Sequence, residues 1–352
     1  MKPPRCMATM IGSLPLTDPA AAVKLVLEHL DEAPIWPELS SRSFREEMVP
    51  AHVEGLPGLR LDLEARKVWI DTEDPGLADE MAAFYERVMA AEESGDLSAF
   101  RVGPSHASAL PVAIRVFEEG GRIFPCVKTH CSGPVSMQLS LTDASDRPLY
   151  YNEAYQDVLV RQLSLRGRWL IRQVRPFGEA VIAFLDEPSL AAFGSSAYLG
   201  VLREEVVERL GAAVAALKTE GAVVGVHVCG NSDWPMILDT GADILNYDAY
   251  EYGESMLMYA DRLAPHFERG GMLAWGIVPT SIAVRTETAA SLEERFFALV
   301  DDLAGRGIDS QLILDQSLIT PACGLGPMRP EDARRAMALL RDLSRAVQAK
   351  VR

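Results

Sequence analysis

The stretch GAVVGVHVCGNSDW (221–234) carries an apolar run into His227 and Cys229, one residue apart, and then into a Gly-Asn turn. An imidazole nitrogen and a thiolate sulfur suit a zinc-type ion, and thiolates argue against magnesium or calcium. Alone, a His-x-Cys pair is matched as readily by a packed histidine and a core cysteine. Two further donors stand where other apolar runs stop, Glu251 after ADILNYDAYE (242–251) and Cys323 in ITPACGLG (319–326). His227, Cys229, Glu251 and Cys323 therefore make a four-donor set drawn from distant parts of the chain. Such spacing excludes a compact zinc finger and suits a catalytic ion better than a structural one. Other polar residues at run ends are Gly12 and Ser13, His130 and Cys131, Asp186 and Glu187, and Asp248.

These residues need a scaffold that brings run ends together. Eight strand-like runs recur: 6–15, 33–39, 122–134, 180–190, 222–230, 242–251, 271–281 and 310–318. Helical patterns lie between them, at 18–30, 152–174, 198–221, 291–307 and 329–350. Asp18 or Thr17 with Pro19 opens the first, and a Ser-x-x-Glu capping box at Ser291 opens the fourth. Strands alternating with helices predict an α/β fold, a single (β/α)8 TIM barrel over 1–352, whose active site lies at the C-terminal ends of the strands. The stretch 40–120 shows no clear strand and is expected to be a helical insertion between strands 2 and 3.

Composition narrows the function classes. Of 352 residues, 34 are Lys or Arg and 50 are Asp or Glu, giving a net charge of −16. No basic run exists to neutralise phosphates, so nucleic acid is not an expected partner. No apolar run is long enough to span a bilayer, and the N-terminus lacks a signal-peptide pattern, so a cytoplasmic protein with no membrane partner is expected. Five cysteines do not suggest a disulfide framework, which leaves thiols for metal or catalytic work.

The motifs ATMIGSLPLTDP, LDEPSL, HVC and PACGLG, with Glu251 between the last two, run in order over nearly the whole chain. Together they resemble the C-terminal catalytic barrel of cobalamin-independent methionine synthase, in the superfamily that includes uroporphyrinogen decarboxylase and zinc-dependent corrinoid methyltransferases. The resemblance implies zinc held by His227, Cys229, Glu251 and Cys323. It implies that Ile11, Gly12 and Ser13 hold the carboxylate of homocysteine and that Asp186 binds its ammonium group, with Glu38 matching a second acidic residue there. The implied reaction is methyl transfer to the homocysteine thiol, forming methionine.

Two departures bear on the methyl donor. The family's full-length members carry an N-terminal barrel that helps bind a polyglutamyl folate, for which this chain is expected to have no room. The family's catalytic histidine after strand seven is matched by Val278, in WGIVPTS, so no protein general acid is identified. A folate nitrogen leaves with a proton, whereas a cobalt(I) corrinoid does not need one. Methylcobalamin or a methylated corrinoid protein is therefore the expected donor and partner. The alternatives are a folate-dependent synthase, another thiol acceptor such as coenzyme M, uroporphyrinogen decarboxylation, and a non-catalytic zinc-stabilised partner of a corrinoid protein.

Overall fold

The computed structural model describes residues 1–351. It is a mixed α/β fold built on a curled parallel sheet of seven strands. The ten strands in chain order are β1 (Met7–Ala8), β2 (Leu59–Asp62), β3 (Lys67–Ile70), β4 (Phe124–Ser132), β5 (Thr142–Asp143), β6 (Gly178–Asp186), β7 (Val223–Val228), β8 (Ile244–Tyr247), β9 (Met272–Val278) and β10 (Ser317–Pro321). The main sheet has the order β1-β10-β9-β8-β7-β6-β4, and every pairing in it is parallel. Its strands are almost wholly buried, as expected for apolar runs covered on both faces. The sheet curls around a separate apolar cluster that includes Met7, Cys126, Ile182, Phe184, Ile244, Met272 and Leu318, drawn from six of its strands. Helices such as Glu153–Val174, Arg203–Lys218, Ala289–Ala304 and Pro330–Val351 bury one face each over a larger core.

Four expectations from the sequence are corrected. The run 33–39 was expected to be a full strand, but it forms only isolated bridges, Ser13 with Glu38 and Ile35 with Lys128. Pro34 and Pro37 have no N–H to donate, which breaks a continuous ladder. The segment is nonetheless bonded on both sides: the N–H groups of Cys126 and Lys128 donate to Glu32 and Pro34, and on the other flank Glu38 N–H donates to Gly12 and Leu14 N–H to Glu38. The last run was placed early. Residues Ser310–Asp315 are a helical turn capped by Asp309, and the strand follows at Ser317. A short apolar run does not by itself distinguish a strand from a buried turn. Third, the stretch 40–120 carries the antiparallel pair β2–β3 besides its helices, and β3 pairs onward with β5. The fourth helical pattern opens one turn early: Thr288 and Ser291 form the capping box. No helix among the described residues is long and apolar enough to cross a membrane.

Candidate metal centre and cavity

His227 lies in β7 beside Asn246 of β8, its register partner. The Asn246 amide is fixed because its N–H₂ donates to the Ala274 carbonyl at 2.8 Å and to Thr320 Oγ1 at 2.9 Å. Its oxygen must then face His227, whose Nδ1 donates to it at 2.5 Å. That bond sets the tautomer and leaves the Nε2 lone pair facing the sulfurs. Nε2 lies 2.9 Å from Cys229 Sγ, and Cys229 Sγ lies 2.7 Å from Cys323 Sγ. All three donor atoms fall within 4.8 Å of one another. Strand ends bring them there: Cys229 follows β7 directly and Cys323 follows β10 by two residues. Neither cysteine is in a disulfide. The hydrogen bond from Cys229, with His227 alongside, pulls the Cys323 thiol down to about 4, and the same bond pushes Cys229 up.

A fixed imidazole lone pair and two soft sulfurs at mutual contact match the donor chemistry of a zinc-type ion. Glu251 does not join these three donors in this structure. It is exposed in the first turn of the helix Ala249–Met256 and lines a separate groove with Arg295 and Asp302. One helical turn earlier, Asp248 caps that helix by accepting from Glu251 N–H at 2.9 Å. Burial raises the Asp248 pKa, and the charges of Glu251 and then Cys323 add to the rise.

The three donors open onto a cavity of about 280 Å³ that Ile11, Ser13, Glu38, Met48, Asp186 and Gly324 also line. Asp186, at the end of β6, buries Oδ1 with no hydrogen-bond partner, and burial raises its pKa. Glu38 Oε1 lies 3.2 Å from His130 Nε2. Burial would raise the Glu38 pKa, but His130, His52 and Lys128 together outweigh it and lower it. Lys128 is buried with Nζ donating to the Ile11 carbonyl at 2.6 Å and lying 4.1 Å from the Phe184 ring centre. Burial brings its pKa down to about 8.

Of the residues expected to hold a carboxylate, Ile11 and Ser13 reach the cavity. Ser13 Oγ accepts from Gly326 N–H at 3.1 Å, so its own proton is left to donate. Gly12 does not line the cavity. A side chain there would start 2.9 Å from His130 Nε2, so glycine is required by the histidine packed on it. The sequence reading missed Asn246, whose signal was a polar residue inside the apolar run ADILNY, and left His130, Lys128 and His52 without a role.

No protein-family model matches the chain, and no curated protein shows detectable similarity to it. Among solved structures, one of a B12-independent methionine synthase from Shewanella sp. W3-18-1, in complex with selenomethionine, is similar over 98% of this chain and 98% of that one, with a TM-score of 0.58 and 14% identity. That likeness is one of fold. Another match is 3-keto-D-glucoside 4-epimerase from E. coli in its apo form, with a TM-score of 0.37 and 11% identity over 73% of this chain and 94% of the other.

Proposed function

We propose that this chain is a methyltransferase that moves a methyl group onto the thiol of homocysteine or a closely similar amino thiol. The observation that carries the reading is a single cavity lined both by His227, Cys229 and Cys323 and by the carboxylates of Glu38 and Asp186. The full-length likeness of fold to a methionine synthase supports it. We read residues 1–352 as one domain, with 32–38 as the eighth stave of a barrel and 40–120 as an elaboration of it.

The protein's own residues divide the work. His227, Cys229 and Cys323 would hold zinc, with a carboxylate from the turn after β8, Asp248 or the more exposed Glu251, completing the set. Bound there, zinc would acidify an incoming thiol and keep it a nucleophilic thiolate at neutral pH. Asn246 keeps the His227 lone pair available. Glu38 and Asp186 bind the substrate ammonium, which supplies the missing partner of the buried Asp186 oxygen. Ser13, with its hydroxyl proton to spare, and the backbone beside Ile11 hold the substrate carboxylate. The sulfonate of a thiol such as coenzyme M would meet two carboxylates and no ammonium, which favours an amino thiol.

Val278 is buried and apolar at the end of β9, so its own side chain offers no proton to a leaving group. The corrinoid donor and corrinoid-protein partner expected from the sequence gain no support from the comparison, where the similar enzyme is B12-independent. The reading therefore rests on the acceptor half of the reaction. The test is a pair of assays on zinc-loaded protein, with homocysteine and either methylcobalamin or methyltetrahydrofolate, following methionine. Methionine from either donor supports the reading. Its absence with both, while other thiols are methylated, would overturn the amino-thiol assignment.

A further inference from the structure

We infer that His130 is a positioning residue for amine recognition: it fixes the Glu38 carboxylate against the cavity wall so that the free oxygen faces the substrate ammonium. The inference rests on the amino-thiol reading above and adds to it a residue outside both the metal donors and the cavity lining.

The imidazole is held on both faces. Trp36 stacks on it, with ring centres 4.4 Å apart and planes 20° from parallel. The indole is itself pinned, since its N–H donates to Thr129 Oγ1 at 3.0 Å. The opposite face lies on the bare backbone of Gly12, where an added Cβ would sit 2.9 to 3.1 Å from three ring atoms. Clamped this way the ring cannot swing, and its Nε2 lies 3.2 Å from Glu38 Oε1. Glu38 is tied to the same strand: its N–H donates to Gly12 at 3.1 Å and its carbonyl accepts from Leu14 at 2.9 Å. Only the Glu38 side chain is left to be oriented, and His130 is the group within reach of it.

His130 has no other use in the protein. It is 1% exposed, and neither ring nitrogen has a well-aligned hydrogen-bond partner. A buried polar ring left this way is costly unless a neighbour or ligand completes it. The charged and titratable groups that face the pair are His52, Lys128 and Asp186. Lys128 is spent on the Ile11 carbonyl, and His52 has its Nδ1 on the Met48 carbonyl at 3.2 Å. Neither competes for the Glu38 oxygen that His130 addresses. A proton on His130 Nε2 donated to Oε1 leaves Oε2 to meet a cation in the cavity, opposite Asp186.

Two measurements test this on zinc-loaded full-length protein. The first compares binding of homocysteine with 4-mercaptobutyrate, which keeps the thiol and carboxylate and lacks the amine. His130→Phe keeps the stacked ring and removes the donor. It should cut the preference for the amine about tenfold, as expected for loss of a charge-assisted hydrogen bond, through KM or Kd with kcat little changed. His130→Gln, whose amide can occupy the place of Nε2, should restore most of that preference. Equal losses for both thiols in His130→Phe would reduce His130 to a packing residue and overturn the inference.

The second measurement needs no substrate. The His130 Nε2 proton should appear as a slowly exchanging, downfield imidazole resonance in the wild type and shift or vanish in Glu38→Gln. A resonance indifferent to Glu38→Gln would overturn the pairing. If the pairing holds but the wild type does not prefer the amine, the amino-thiol reading fails instead, and with it the role assigned to the pair.

Discussion

On one side of the cavity His227 is locked by Asn246, and the Cys229 and Cys323 sulfurs touch. On the other side Asp186 buries an oxygen that no protein group addresses, and Glu38 stands among His130, His52 and Lys128. The sulfur side is a set of soft donors already at mutual contact. The carboxylate side is left incomplete, at a cost to stability that a fold tolerates where a ligand supplies the missing partner. Soft, mutually satisfied donors point to a resident metal, whereas unsatisfied hard oxygens point to a cationic group that comes and goes.

The widest separation of the two sides comes from deleting a sulfur. Cys323→Ser should reduce bound zinc from about one per chain to near zero and methyl transfer by about a thousandfold or more, whereas Cys131→Ser should leave both within a few-fold. Cys131 is buried in β4, where burial raises its thiol pKa, and its thiol donates to the Leu163 carbonyl at 3.9 Å, outside the His227–Cys229–Cys323 cluster. Metal analysis beside turnover checks the pair. Equal metal loss in both variants would erase the distinction.

The carboxylate side should also show its cost as acid sensitivity. Burial holds the His52 pKa down at about 4 against an ordinary value of 6.5, so His52 stays neutral in the fold. The unfolded chain binds the extra proton first, so stability falls as pH drops from about 6.5 to about 4 and levels off below. That difference corresponds to about 3 kcal/mol. His52→Phe should flatten this part of the profile in urea melts at pH 7, 5.5 and 4. A wild-type profile already flat there would remove His52 from the account.

Binding separates the walls more gently. Glu38→Gln and Asp186→Asn should each raise the KM for homocysteine by about ten- to a hundredfold, in line with losing a charge-assisted bond, and leave zinc content unchanged. Either variant losing zinc would merge the two sides into one site. The smallest effect distinguishes two acids one helical turn apart. Asp248→Asn should weaken zinc about tenfold, and Glu251→Gln should stay within twofold. A competition titration against a chelator reads both, and the reverse order would return Glu251 to the metal.

Much of the sulfur side was legible in the sequence because its chemistry lies in residue types and its convergence follows from strand ends. His227, Cys229 and Cys323 meet as that logic requires. Glu251 lies apart from them on the exposed first turn of the next helix, because sequence spacing does not say where β8 ends and that helix begins. Asp248 had been noted at the same run end, and it caps that helix by accepting from Glu251 N–H. The carboxylate side was less legible. The reason for Gly12 lies in a ring contributed by a strand far along the chain, and no local pattern reports that contact. The parallel order of the strands was readable from alternating runs, but the two prolines at 34 and 37 that interrupt one ladder act through missing donors that hydrophobicity does not register.

The central claim, that Cys229 and Cys323 hold a metal which receives a substrate thiol, is tested most directly by zinc X-ray absorption with and without homocysteine. Two sulfur scatterers at about 2.3 Å in the resting protein should become three when homocysteine is added. A sulfur count that stays at two, or zinc bound without sulfur, would contradict the account.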